Sequence, residues 1–250
     1  MRSLSDFHVH TQYSKNGHAK GSIEEVVLAA REAGLTEVLI SDHGPGHFLF
    51  GIHRSQLPEI RREIDRLNGV YEDIDVLMGL ESNVMSYRGS IDLEPEDLAY
   101  LDRLSVGFHY GIMPRDLWSF FLFMILNPLS KLIPPLRAYV TRENTNALVR
   151  IVKRYRPTII THPGSKVPLD IRSLARVCGE FGTALEINSS HGDLNDEGIC
   201  IALKEDVKFS LGSDAHSPRR VGDLTYSIEA LSRLGVAPER LINRTKKEDQ

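Results

Sequence analysis

The sequence predicts an α/β fold built on a mostly parallel sheet, and three observations carry that expectation. Short β-branched apolar runs alternate with amphipathic stretches along the whole chain. Helix start and stop signals fall between those runs rather than inside them. No interdomain linker, internal repeat or low-complexity segment interrupts the pattern, so one domain over residues 1–250 is expected, with an apolar insertion at about 110–140.

Taken in order, Leu4–His8 is the first candidate strand. Ser22 followed by Glu25 is a capping box that opens a helix over Ile23–Ala33, and Gly34 stops it. Glu37–Ile40 is the second strand, and Gln56–Asn68 carries the next helical pattern. Asp75–Leu80 and Leu104–Phe108 follow as strands, then a helix over Asn144–Tyr155. Thr158–Thr161 is the fifth strand, before a helix over Ile171–Phe181 that Gly182 closes. Ala184–Ile187 and Lys208–Leu211 bracket a helix at Asp196–Leu203, and Leu224–Leu234 ends at Gly235. Seven strands suit either an open doubly wound sheet or a closed barrel. No glycine-rich loop follows the first strand, which excludes the usual dinucleotide and P-loop sites.

Apolar residues make up 41% and charged residues 26%, the balance of an ordinary globular protein. A net charge of −4 argues against a module that works through a basic face, so no stable nucleic-acid complex is expected. Cys178 and Cys200 lack metal-ligand spacing; both are expected as small core thiols in a reducing, cytoplasmic setting. The N-terminus has no signal pattern. Residues 117–136, LWSFFLFMILNPLSKLIPPL, hold an apolar run of about ten residues, short of the roughly 20 that span a bilayer. This stretch reads as a buried or lid helix, a patch for homo-oligomer formation, or a membrane-surface contact.

The chemistry is signalled by where histidines fall. His8, His10 and His18 follow the first strand, His43 the second, Glu81 the third, His109 the fourth, His162 the fifth, and Asp214 and His216 the last. In a parallel α/β barrel the C-terminal strand ends form one rim, so these nine side chains converge. Seven imidazoles crowded without cations would leave ring nitrogens buried and poorly matched. Neutral imidazole is the commonest metal ligand, and nine ligands exceed the roughly four that one tetrahedral ion takes. Two or three ions are therefore expected, with Glu81 as a bridging carboxylate. His47 and His53 are candidates for the mouth of the site, His191 for a substrate contact or proton donor, and Asp42 for orienting His43.

The segments DFHVHT, SDHG, GLESN, GFH, THPG and GSDAH, in that order, resemble the polymerase and histidinol phosphatase (PHP) family. The spacing of His18 is similar to that in its compact, stand-alone bacterial phosphoesterases. The resemblance implies a distorted, TIM-like (β/α)7 barrel with its metal site at the C-terminal rim. It implies that His8, His10, Glu81 and Asp214 hold one ion, that His18, His43 and His216 hold a second, and that Glu81, His109 and His162 hold a third. Zinc is the metal it implies first, with iron or manganese as alternatives. Ile112 to Tyr139 is longer and more apolar than the resemblance leads one to expect.

Three divalent cations and two carboxylates leave a bowl of charge about +4, suited to a small phosphorylated substrate. A metal-activated hydroxide could then attack phosphorus, with Glu81, Asp214 and His191 as candidate catalytic groups. Arg88, Arg115, Lys166, Arg219 and Arg220 are candidates to hold phosphate oxygens; Arg115 and Lys166 are preferred because each closely follows a ligand strand. Two other readings stand beside this phosphatase. An amidohydrolase also begins with a His-x-His strand but bridges its metals through a modified lysine. A non-catalytic metal-binding scaffold would be expected to have lost ligands.

Overall fold

The computed structural model describes residues 2–246. Seven parallel strands form the central sheet: β1 (Ser5–Val9), β2 (Glu37–Ile40), β3 (Asp75–Ser86), β4 (Arg103–Gly107), β5 (Ile159–Ile160), β6 (Ala184–Asn188) and β7 (Phe209–Gly212). They pair strictly in sequence order. β1 and β7 then meet through a bridge between Val9 and Ala215, where His10 N–H donates to the Ala215 carbonyl at 2.9 Å. The sheet is thus a nearly closed, TIM-like barrel.

Helices cover its outside: α1 (Ile23–Glu32), α2 (Leu57–Val70), α3 (Pro134–Tyr155), α4 (Ile171–Phe181), α5 (Asp196–Ala202) and α6 (Thr225–Arg233). In α1 the Ser22 hydroxyl caps Glu25 N–H while the Glu25 carboxylate accepts from Ser22 N–H. Ile23, Val26, Val27 and Ala30 make its buried stripe, the spacing of one helical face. Inside the barrel, Phe7 of β1, Leu39 of β2 and Ile159 of β5 group as a small apolar plug.

Two elements differ from expectation. β3 runs on past Leu80 to Ser86 because its far end turns back and pairs with Ser90–Ile91. Glu81 therefore lies within a strand rather than at its tip. The third helix begins at Pro134, ten positions before Asn144, since prolines are tolerated in a helix's first turn. Asn144 is no cap but a buried link, donating to Asn127 Oδ1 and to the Pro168 carbonyl. Cys178 is buried as expected, whereas Cys200 is exposed on α5. Among the described residues no helix is long and apolar enough to cross a membrane.

Candidate metal centre

All nine expected ligand side chains meet at the C-terminal rim. Glu81 is the hub. Its Oε1 lies 2.7 Å from His162 Nε2 and 3.0 Å from His109 Nε2. Its Oε2 lies 3.0 Å from His43 Nδ1 and 3.4 Å from His8 Nε2. Asp214 Oδ1 stands 3.3 Å from His10 Nε2 and 3.6 Å from His8 Nε2. His18 completes the ring, with its Nε2 at 2.9 Å from His216 and 3.2 Å from His43; its imidazole stacks on Phe50 at 3.8 Å. Three tight groups emerge: His8, His10 and Glu81; His43, Glu81 and His109; His10, His43 and His216.

The donor chemistry fits cations. His8 Nδ1 is occupied by Glu186 Oε1 at 2.7 Å and His216 Nδ1 by the Asp214 carbonyl at 2.9 Å, so each turns an Nε2 lone pair toward the cage. Carboxylate oxygens, also acceptors, point at the same spot. The ring nitrogens His10 Nδ1, His43 Nδ1 and His109 Nδ1 are buried without a hydrogen-bond partner, His43 Nδ1 despite its closeness to Glu81. Of these, His43 Nδ1 faces Glu81, and an ion there would satisfy it together with the Nε2 lone pairs of His8, His10, His109 and His162 that converge on Glu81 and Asp214. The backbone is bent to serve it: His162 and Asp214 both have positive φ, 29° and 53°, a conformation sparsely used outside glycine.

Electrostatics divide the imidazoles. Burial drives His10 well below its ordinary value, His18 to about 4 and His109 to about 3. Burial opposes charge on His8 too, but Glu186, Glu81 and Asp214 outweigh it and raise its value. Burial would likewise raise Glu81 and Asp214, yet the surrounding histidines hold both well below the usual carboxylate range.

Other candidates sort by position. A cavity of about 460 Å³ opens over the cage and is lined also by His47, Phe50, Tyr110, Lys166, Ser190 and His191. His191 Nε2 is 3.3 Å from Asp214 Oδ2. His47 Nδ1 accepts from Phe50 N–H at 3.0 Å, which leaves the proton on Nε2 and makes this ring a donor rather than a ligand. Arg115 is a correction: it lies outside the cavity, in a separate groove with His53, and pairs with Glu94 at 3.2 Å. Its backbone N–H is tied to the Met85 carbonyl, which turns it toward the β3 hairpin. Asp42 is another. Its carboxylate is taken by Thr11 and Ser14, fastening the loop after β1, and does not reach the His43 ring. Arg88 and Arg219 are exposed and away from the cavity, while Arg220 reaches the rim at Ser190.

The sequence reading missed Glu186. This buried carboxylate on β6 holds His8 Nδ1 with one oxygen and accepts His162 N–H at 2.6 Å with the other. Asn188, two residues on and so on the same face, bonds both Glu186 and Asp214. That alternation in ALEIN was the available signal.

Comparison with known proteins agrees with this geometry. The PHP domain profile matches residues 6–119. A relative from Syntrophotalea carbinolica named "Probable phosphatase" is 31% identical over 98% of this chain and 93% of its own. Another so named, from Edwardsiella ictaluri, is 32% identical over 95% of this chain and 89% of its own. In fold, the chain is similar to histidinol phosphate phosphatase from Lactococcus lactis, solved with zinc, L-histidinol and phosphate (TM-score 0.64, 13% identity, 95% of each chain). With the PHP match and near full-length likeness in sequence to these relatives, the chain belongs to the PHP family.

Proposed function

We propose that this PHP-family phosphoesterase hydrolyses small phosphate monoesters at a cage of three divalent ions. The observation that carries the reading is Glu81, whose two oxygens serve different histidines, His109 and His162 on one side, His8 and His43 on the other. A carboxylate so shared is the natural bridge of a polynuclear site. His8, His10, Glu81 and Asp214 would hold one ion, His18, His43 and His216 a second, and Glu81, His109 and His162 a third. Ions held there would supply Lewis-acid activation of water near neutral pH and would offset charge on a phosphoryl group. Seven imidazoles with two carboxylates suit zinc or iron better than magnesium or calcium, and zinc in the Lactococcus lactis relative supports zinc here.

The chain's own groups supply the rest. Lys166, at the cavity wall, offers its ammonium to phosphate oxygens, and its carbonyl accepts from the Tyr110 hydroxyl at 3.1 Å. His191, beside Asp214 and open to the cavity, is placed to hand a proton from Nε2 to the departing ester oxygen. Phe50 and Tyr110 give the leaving group an apolar wall. A cavity of about 460 Å³ suits a substrate the size of a mononucleotide, a sugar phosphate or an amino-alcohol phosphate such as histidinol phosphate.

The test is a turnover screen across those ester classes, run with elemental analysis of the same protein. His8→Ala should lose metal and phosphatase turnover together. Full activity in that variant would sink the assignment, as would stoichiometric metal with no turnover on any phosphate ester.

A further inference from the structure

Residues 113–133 put an unusual amount of apolar surface into solvent. Leu117 is 88% exposed, Leu132 81% and Met113 65%, and Trp118, Phe121 and Ile125 are exposed with them. Leu122 and Phe123 turn inward, Phe123 lying 5.8 Å from the Phe108 ring and 5.4 Å from that of Tyr110. The segment is thus anchored by one face and offers the other. Single exposed apolar side chains are ordinary; a contiguous group of this size marks a surface that something covers.

Charge indicates what covers it. Between Asp116 and Glu143 the sequence holds three cations, Lys131, Arg137 and Arg142, and no carboxylate, in a protein of net charge −4. All three are exposed, with Arg142 paired to Glu143 at 3.4 Å and Lys131 and Arg137 left to face outward. A two-fold contact with a second copy would bring these like charges together, and the segment's one carboxylate, Asp116, is already taken by Ser86 and Ser119. Leucine, phenylalanine and tryptophan edged by lysine and arginine match the boundary of an anionic bilayer instead. The helices here are too short to cross one, so the segment would lie on the surface.

We propose that residues 113–133 dock the protein on an anionic lipid surface. Leu117, Trp118, Phe121 and Leu132 enter the headgroup boundary, and Lys131 and Arg137 meet lipid phosphates. Tyr110, which lines the catalytic cavity, adjoins this segment, so docking sets the cavity mouth beside the bilayer.

Trp118 is the chain's single tryptophan, so its emission reports on this segment alone. Purified protein is floated on a density gradient with vesicles of phosphatidylcholine, or of equal parts phosphatidylcholine and phosphatidylglycerol. Flotation with the anionic vesicles, a blue shift of Trp118 emission and reversal of both by salt are expected. Leu117→Glu with Leu132→Glu, at positions too exposed to disturb folding, abolishes flotation. Lys131→Gln and Arg137→Gln each weaken partition roughly fivefold. Absence of flotation and blue shift with anionic vesicles overturns the proposal, and so does equal flotation of the double glutamate variant. Protein that ignores vesicles but forms a dimer which that variant makes monomeric assigns the face to a second copy, and also overturns it. These readouts are of binding, so they stand whichever ester the protein cleaves.

Discussion

Glu186 Oε1 lies 2.7 Å from Nδ1 of His8, with both side chains buried. One residue of β6 thereby sets the tautomer of a candidate ligand on β1, and through its other oxygen it holds the backbone of His162 after β5. Glu186 is not part of the cavity lining, so its effect passes through the rings it orients. Glu186→Ala should lower metal affinity about 10- to 100-fold, read by competition with a chromophoric chelator. Unaltered affinity would show the bond to be idle.

Gly212 makes that pair possible. A Cβ there would sit 2.5 Å from His8 Cβ and press on Glu186 Oε1. Gly212→Ala should therefore cost about 1–3 kcal/mol in the unfolding of metal-free protein and weaken metal binding as well. Chemical denaturation beside wild type, with and without chelator, checks both.

The stability of metal-free protein should peak near pH 6.5, the ordinary histidine value. Burial holds His18 and His47 near 4, so below pH 6.5 the unfolded chain takes up protons that the fold refuses. Their contribution is whole above 6.5 and is lost as pH falls toward 4. His8 and His162 run the other way: burial opposes their charge, but carboxylates raise both. Their contribution is present at low pH and fades as pH rises through their folded values. Urea midpoints from pH 4 to 8 should trace this dome, and His47→Phe should make the acid limb shallower. A flat profile would refute the account.

Around the cavity, three substitutions should separate by kinetics. Lys166→Ala removes a charged contact to phosphate and should raise KM roughly 10- to 100-fold. His191→Asn should lower kcat about 100-fold or more at unchanged metal content. Arg115→Ala, paired with Glu94 in another groove, should leave both constants alone. An Arg115 effect as large as that of Lys166 would mean the phosphate sits elsewhere.

Strand order and the meeting of the nine candidate side chains were legible for one physical reason. A parallel barrel gathers its strand tips, so a histidine or carboxylate after each apolar run needed no contact information to be placed. Glu186 escaped because its only local signal, the Glu-x-Asn alternation in ALEIN, is weak beside an apolar run; its partners reveal its role. Arg115 misled because nearness in sequence to His109 gives distance but not direction, and the Met85 carbonyl fixes that direction. The start of α3 was hidden by Pro134 and Pro135, which look like breakers and act as a first turn.

His18 and His216 are 198 positions apart, yet their Nε2 atoms are 2.9 Å apart. β1 closes on β7 through the last strand's end, where Val9 bridges Ala215 just before His216. A chain emerging from the ribosome therefore displays its early histidines long before it can enclose anything with them. On the proposed ligand set, the cage is complete only once Asp214 and His216 have been synthesised, and a product truncated before them would hold metal poorly however well its first strands had formed.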